Sequence, residues 1–336
     1  MIIVPLFKYI TQTHKSAEPI NIAGIDLTLS NGNLPFTSHL YEILYPLDAE
    51  YAKEFYKYDS IFSIEGVQYY WMGNLFSSDD RNKRLKFEQE HLNRYIQLLQ
   101  YLEDNKYRIR SDIDLKSAKH YIQNRIDYIH WRAQDTTYMA EQLNVTEKHW
   151  TASRLLSRYR DARMSNNLVF LSEQLYPDEK IIVWAHNAHI QKYGNDMPNH
   201  PGIFERAYTI PLFCYEGEGS WGKSFDPSSA DNIYRFIISE DSTSIEKILN
   251  STGYAISFVD MQNETKSNGN SWMFDKSRFH FWDGSNNSEV NAIRNLYDGI
   301  ILIKQVNPPT YLNYDYKYFK EVIEKTKKTR HNMRYN

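Results

Sequence analysis

His186-Asn187-Ala188-His189 sets two imidazoles three residues apart at the end of a short apolar run, Ile181-Ile182-Val183-Trp184-Ala185. Imidazole titrates close to neutral pH, so either ring is able to act as a base toward water or to polarise a carbonyl. The run is short and rich in β-branched residues, which predicts a buried strand over 180–185. In open α/β sheets ligands bind beyond the carboxyl ends of the strands, where both histidines would then lie. Spacing alone says little: 11 histidines in 336 residues give about 0.4 pairs at any one chosen separation by chance. The plain alternative is two histidines packed or hydrogen-bonded at a strand end.

Other chemistries compete. Gly217-Glu218-Gly219-Ser220-Trp221-Gly222-Lys223-Ser224 fits the phosphate-loop pattern at every specified position. Ala255 to Asp260 is an apolar strand candidate ending in a carboxylate, as such proteins use to hold magnesium. Against this nucleotide-binding reading, Phe225-Asp226-Pro227-Ser228-Ser229 is turn chemistry where a phosphate-binding helix must start. Glu218 would also bring a negative charge to the phosphates, and Trp221 is bulky where the backbone must wrap closely. No G-x-S-x-G elbow occurs, so a serine hydrolase of the α/β type is disfavoured. H-E-x-x-H is absent, and one H-x-x-H supplies two ligands where zinc needs three or four, so Asp26 or His200 would have to join. No metal and no cofactor are expected. Cys214, the only cysteine, lies in the apolar run Ile210 to Cys214 and is expected to be an inert buried thiol.

The elements that must position these residues predict an α/β fold, a mostly parallel sheet flanked by helices, with an inserted helical subdomain. Ile20 to Leu27 reads as a strand ending near Asp26. The stretch 48–176 turns helical, with amphipathic runs over Leu85–Leu102, Ser111–Arg132 and Thr146–Leu175. Strand candidates return at Lys180–Ala185, Ala207–Cys214, Tyr234–Ile238, Tyr254–Asp260 and Gly299–Lys304. Ser242–Leu249 reads as a crossover helix capped by Ser242 or Ser244. The expected division is therefore an α/β core of 1–47 with 177–336, and a helical insertion of 48–176. In the third helical run Arg160, Met164 and Asn167 share one face, which suits a surface, a helix–sheet ion pair or the lining of a site.

Composition narrows the partners. The chain is 41% apolar and 24% charged, with a net charge of −3, so it is globular and has no general basic field for nucleic acid or anionic membrane. The one dense basic run, Lys325 to His331, reads as a solvated end. The 27 tyrosines are scattered, which suits packing better than a stacking platform. No apolar run reaches membrane-spanning length, and Met1 to Phe7 lacks the basic leader and long apolar core of a signal peptide. A cytoplasmic protein acting on a small molecule is expected; the oligomeric state is left open.

Together Arg160-Asp161, Met164, Asn167 and the string Ile182-Val183-Trp184-Ala185-His186-Asn187-Ala188-His189 resemble the erythromycin esterase family. Gly24-Ile25-Asp26 is similar to that family's G-x-D segment, and Tyr193-Gly194 and the loop Glu216 to Ser220 follow in the family's order. The Trp-Ala-His-Asn-Ala-His string is the specific part. The resemblance implies an α/β core with a helical insertion and a cleft between them. It implies hydrolysis of a carboxylic ester or macrolactone by activated water without a required metal, as the best-known members do with erythromycin-type antibiotics. It further implies that His186 and His189 are catalytic, with Asp26 and Asn187 as supports beside Arg160 and Asn167. One departure is plain: the family's G-E-x-x-H-G, to which the resemblance assigns the general base, occurs nowhere in these residues. The expectation is a chain truncated at its start, with weakened hydrolysis. The alternative is a ligand-binding protein that keeps the cleft without turnover.

Overall fold

The computed structural model describes residues 3–13, 16, 19–27, 34–71, 78–144, 151–192, 207–220, 233–237, 244–280, 287–290 and 292–307. They form two compact units. One draws on residues within 1–22, 185–192 and 207–336, the other on residues within 23–184 and 193–206. Helix α1 (Ile3–Thr13) belongs to the first.

The second unit is helical. It contains α2 (Leu34–Leu44), α3 (Ala49–Trp71), α4 (Ser78–Asp104), α5 (Asp112–Ala133), α6 (Thr136–Gln142) and α7 (Ala152–Phe170), which runs on into a π-helical turn, Leu171–Leu175. Local chemistry sets the ends of α5. The Ser111 hydroxyl accepts from the Asp114 amide, and Asp112 and Asp114 put negative charge at the positive end of the helix. At the other end Gln134 takes a left-handed conformation, φ 55°, and its amide closes on the His130 and Trp131 carbonyls. The Asp135 carboxylate then accepts from Tyr138 N to start α6. The apolar stripes of these helices close on one core, in which Leu44, Phe62, Tyr95, Leu98, Leu102 and Ile122 are fully buried.

A carboxylate lies inside that core. Asp59 is 2% exposed and accepts from Arg125 Nε (3.1 Å) and Nη2 (3.2 Å), from the Tyr95 hydroxyl (2.5 Å) and from the Thr37 hydroxyl. Burial alone would raise its pKa; the Arg125 charge and these hydrogen bonds hold it below the ordinary value. Nearby, His91 stacks on Tyr58 at 4.1 Å and contacts Phe62 and Phe87. Its Nδ1 donates to the Phe87 carbonyl (2.8 Å), and its buried Nε2 has no hydrogen-bond partner among the described residues. Burial pushes its pKa down to about 4.

The first unit holds the strands β1 (Leu212–Ser220), β2 (Ile233–Ile237), β3 (Ile256–Asp260), β4 (Ser277–His280), β5 (Asn287–Val290) and β6 (Gly299–Val306), with helix α8 (Ile245–Asn250) before β3. Four strands form a sheet in the order β2-β1-β6-β3, and β4 and β5 form a separate hairpin. Among the described residues the mostly parallel sheet expected from the sequence is a mixed one. β1 pairs parallel with β6, whereas the β1–β2 and β3–β6 ladders are antiparallel. One face, with Phe213, Tyr215, Ile300 and Leu302, is buried against α8 and Tyr297. On the opposite face register aligns Leu212, Ile301 and Phe258 in one row and Cys214, Ile303 and Ile256 in the next. Leu212, Phe258 and Ile256 of that face are exposed.

Three expectations from the sequence change. Residues 20–26 and 180–185 are not in any ladder among the described residues, and Ile182 is 92% exposed. An apolar run predicts extended backbone but cannot provide the neighbouring strand that makes it a sheet member. The opening of the phosphate-loop match, Gly217 to Ser220, is not a loop: it continues β1 and pairs with Ile233–Phe236 of β2. Gly217 is there because its φ is +146° and a Cβ would come within 2.1 Å of the Val306 carbonyl oxygen of β6. Lys223 and Ser224, like His200 and the basic run 325–331, lie outside the described residues.

Two outcomes follow from the helical core. Arg125→Met, which strands a buried Asp59, is expected to cost the unit about 3–5 kcal/mol in urea denaturation, and Asp59→Leu added to it to restore most of that loss. For His91 the folded pKa lies below the unfolded one, so the unfolded chain binds more protons between the two. Stability is then full above about pH 6.5 and declines as pH falls toward about 4, by roughly 3 kcal/mol in all. Denaturation midpoints measured across that range are expected to show this decline in the parent and a flatter profile in His91→Phe.

Candidate functional site

His189 lies in a 3₁₀ turn, Asn187–Ile190, and His186 immediately precedes it, both in the first unit. The turn closes with His189 N donating to the His186 carbonyl at 2.8 Å. His186 is exposed and His189 half-buried, with ring centroids 6.3 Å apart and planes at 74°. Asn187, between them, is turned toward the sheet. Its Nδ2 donates to the Leu212 carbonyl (2.7 Å) and its Oδ1 accepts from the Leu212 amide (3.1 Å). A carboxamide thus pairs with the first residue of β1 as a neighbouring strand would. The Asn187 carbonyl in turn accepts from the Tyr297 hydroxyl at 3.1 Å.

The downstream end of the turn is pinned by residues that the sequence reading did not single out. Lys192 N donates to the Leu296 carbonyl, and its ammonium pairs with Asp298. Asp298 is 2% exposed, and its other oxygen accepts from the Thr209 amide (2.9 Å) and hydroxyl (3.2 Å). Its backbone carbonyl takes Met261 N at 2.7 Å. The signal was an aspartate just before the Gly299 strand, which is common in turns and carries no mark of burial.

Asp26, Arg160 and Asn167 come together in the helical unit. Arg160 donates from Nε (2.9 Å) and Nη2 (2.5 Å) to the two Asp26 oxygens, a bidentate ion pair between α7 and the segment before Leu27. Asn167, 6% exposed, donates from Nδ2 to the Ile25 carbonyl at 2.8 Å. Its Oδ1 accepts from Asn124 Nδ2 (2.9 Å) and lies 2.7 Å from His120 Nε2. Arg160 and Asn167, on the face that they share with Met164, therefore hold the Gly24-Ile25-Asp26 segment at two points. Each of the two groups of expected site residues is assembled within its own unit.

Cys214 lies on β1, and burial pushes its thiol up to about 11, in line with an unreactive cysteine. Among the described residues there is no group of three or more His, Cys, Asp or Glu placed to hold a metal ion, and no helix long and apolar enough to cross a membrane.

A family model for erythromycin esterase matches residues 3–306, which takes in the histidine turn, the Asp26–Arg160 pair and the whole mixed sheet. The chain belongs to the erythromycin esterase family. It is 22% identical over 327 residues to "Putative hydrolase YbfO" of Bacillus subtilis (strain 168), an alignment covering 91% of this chain and 68% of that one. Among solved structures it shares its fold with a Bacillus cereus protein (TM-score 0.60, 14% identity, 92% of this chain and 73% of the other). It likewise matches a variant of the erythromycin esterase EreC in its open conformation (TM-score 0.53, 15% identity, 90% and 72%). Membership and the YbfO match support a hydrolase-like function.

The Asn187 clasp gives a direct expectation. Asn187→Ala leaves the Leu212 amide and carbonyl to water, which is expected to cost about 1 kcal/mol. It should also speed hydrogen exchange at Leu212 N, read by NMR, with the exchange of buried Leu302 changed far less.

Proposed function

We propose that this chain is a hydrolase that cleaves a carboxylic ester or macrolactone with activated water, His186 and His189 supplying the proton-handling side of the site. The observation that carries the reading is the turn itself. Two imidazoles are presented together by four residues, and the side chain between them is spent on anchoring the turn to β1. A loop that merely connected two elements would have no need of that anchor. Family membership supplies the reaction class, and the name of EreC suggests a macrolactone ester as one substrate to try.

The chemistry asks for few groups. Water is a poor nucleophile at neutral pH and needs a base, while the tetrahedral intermediate needs a donor for its oxyanion. In this reading one imidazole faces the water and the other the carbonyl oxygen, with exposed His186 on the substrate side and half-buried His189 set by the turn. Asn187 acts through the histidines by holding their backbone. Asp26, Arg160 and Asn167 are proposed as supporting residues. No cofactor takes part in this reading. Because G-E-x-x-H-G is not among these 336 residues, turnover by them alone is expected to be slow, and to rise when a segment bearing that motif is supplied in the same polypeptide.

The test is a panel of aryl and alkyl esters with erythromycin, assayed with the chain and with His186→Ala and His189→Ala. Each substitution is expected to lower kcat/KM by about 10²–10⁴ with the fold intact by circular dichroism. Undiminished turnover in both variants would remove the histidines from the chemistry. Ligand-induced stabilisation without any turnover, in the extended polypeptide as well, would make the protein a binding module instead.

A further inference from the structure

The helical unit carries a pair of adjoining pockets between α4, α5 and α7, of whose lining only Asn167 figures in the hydrolytic reading above. They share His120, Gln123, Phe170 and Gln174 as a common wall. The larger is a wide, open depression of about 790 Å³ with Ile96, Leu99 and Phe170 on its apolar side; the smaller, about 260 Å³, reaches down to Asn124, Asn166 and Asn167.

Hydrogen-bond accounting says what such a wall would hold. Asn167 Nδ2 donates to the Ile25 carbonyl, which can only accept, so the orientation of that amide is settled. Its Oδ1 therefore faces His120 Nε2, and that nitrogen must carry the proton. Burial lowers the His120 pKa, so the ring is neutral near pH 7 and presents Nδ1 as a lone pair. Phe170 covers one face of the ring, stacked at 4.0 Å and 8°.

The neighbouring carboxamides are half used in the same way. Gln123 Nε2 donates to Asp127 and Tyr138, leaving its Oε1 over. Asn124 Nδ2 donates to Asn167, leaving its Oδ1, and Gln174 Oε1 accepts from Lys116, leaving its Nε2. Among the described residues none of these remaining groups, nor either end of Asn166, has a protein partner.

Charge does not dominate the wall. Arg163 is paired with Asp127 and Lys119 with Glu103, while Lys116 and Glu173 are of opposite sign. A ligand suited to this wall has several groups that both donate and accept, no net charge, and an apolar face for the apolar side. That is the chemistry of a sugar ring.

We propose that this pocket is a binding subsite for a neutral sugar ring, with His120 Nδ1, Gln123 Oε1, Asn124 Oδ1 and Asn166 taking its hydroxyls and Phe170 at its C–H face. The proposal is independent of the hydrolytic reading, since it concerns binding alone.

It is tested by titrating the full chain with the methyl glycosides of glucose, galactose, mannose and rhamnose, followed by saturation-transfer NMR and calorimetry, with glucuronate and glucosamine as charged counterparts. At least one neutral glycoside is expected to bind saturably in the millimolar range. Asn166→Ala and Gln123→Ala are each expected to weaken it at least about tenfold. The melting temperature of Asn166→Ala should stay near the parent's, whereas Gln123→Ala gives up its hydrogen bond to buried Asp127 and is expected to melt lower, so its binding is measured on protein shown to be folded by circular dichroism. His186→Ala is expected to bind as the parent does, whatever its rate on esters. Three results would each overturn the proposal: no saturable binding of any neutral glycoside up to about 50 mM, binding of the charged sugars only, or undiminished binding in both Asn166→Ala and Gln123→Ala.

Discussion

The ion pair between Asp59 and Arg125 is the constraint around which the helical unit is assembled. A carboxylate taken from water into a core loses several kcal/mol of hydration, and the loss is bearable only when every oxygen is met by a donor. Asp59 sits on α3, Thr37 on α2, Tyr95 on α4 and Arg125 on α5. Satisfying one carboxylate therefore fixes four helices against each other at a single point. The apolar contacts around it tolerate small slides; this set of hydrogen bonds does not. The same logic recurs at Asp127, 1% exposed, which gathers Gln123, Tyr138 and Arg163. It recurs in the other unit at Asp298, which gathers Lys192 and Thr209. Hydrophobic burial supplies the larger driving force, while the buried carboxylates select one arrangement among those that burial would accept.

Periodicity made the helices legible. The runs over Leu85–Leu102 and Ser111–Arg132 lie within or nearly match α4 and α5, because a stripe every three to four residues is a local property that each helix satisfies by itself. Ser244 caps α8 as expected, since a cap is settled within one turn. Strands are different. Tyr254–Asp260 and Gly299–Lys304 found partners and became β3 and β6, while 20–26 and 180–185, equally apolar, have none among the described residues. Nothing in Ile181-Ile182-Val183-Trp184-Ala185 encodes whether another strand lies beside it. The β4–β5 pairing was missed for the complementary reason: it is clear in space, but Ser277–His280 and Asn287–Val290 are short and carry no apolar run that would mark them as strands.

The candidate site shows a similar divide. Residue type singled out His186, His189, Asp26 and Arg160, since imidazole and paired charges are chemically conspicuous. The residues that hold them were harder to see. Asn187 was noted as a support, but its role of completing the start of β1 depends on Leu212, which lies 25 residues away. Lys192 and Asp298 are separated by 106 residues and gave no local cue. Candidate residues were legible where a single side chain is chemically conspicuous, and positioning was illegible where it depends on long-range closure.

Asparagine is the common element in both units. A carboxamide carries one donor group and one acceptor at the spacing of a peptide bond, so it can stand in for backbone where no strand or helix supplies it. Asn187 does this for Leu212, and Asn167 does it for Ile25 while its oxygen orders His120 and Asn124. Among the described residues the segments carrying Asp26 and His186 thereby acquire defined backbone partners without a ladder, each within its own unit. Each segment is held by a few side-chain bonds. The precision of the histidine turn then rests on Asn187 at its centre and on Lys192 with Asp298 at its end, and loosening either would move the imidazoles before it unfolded the sheet.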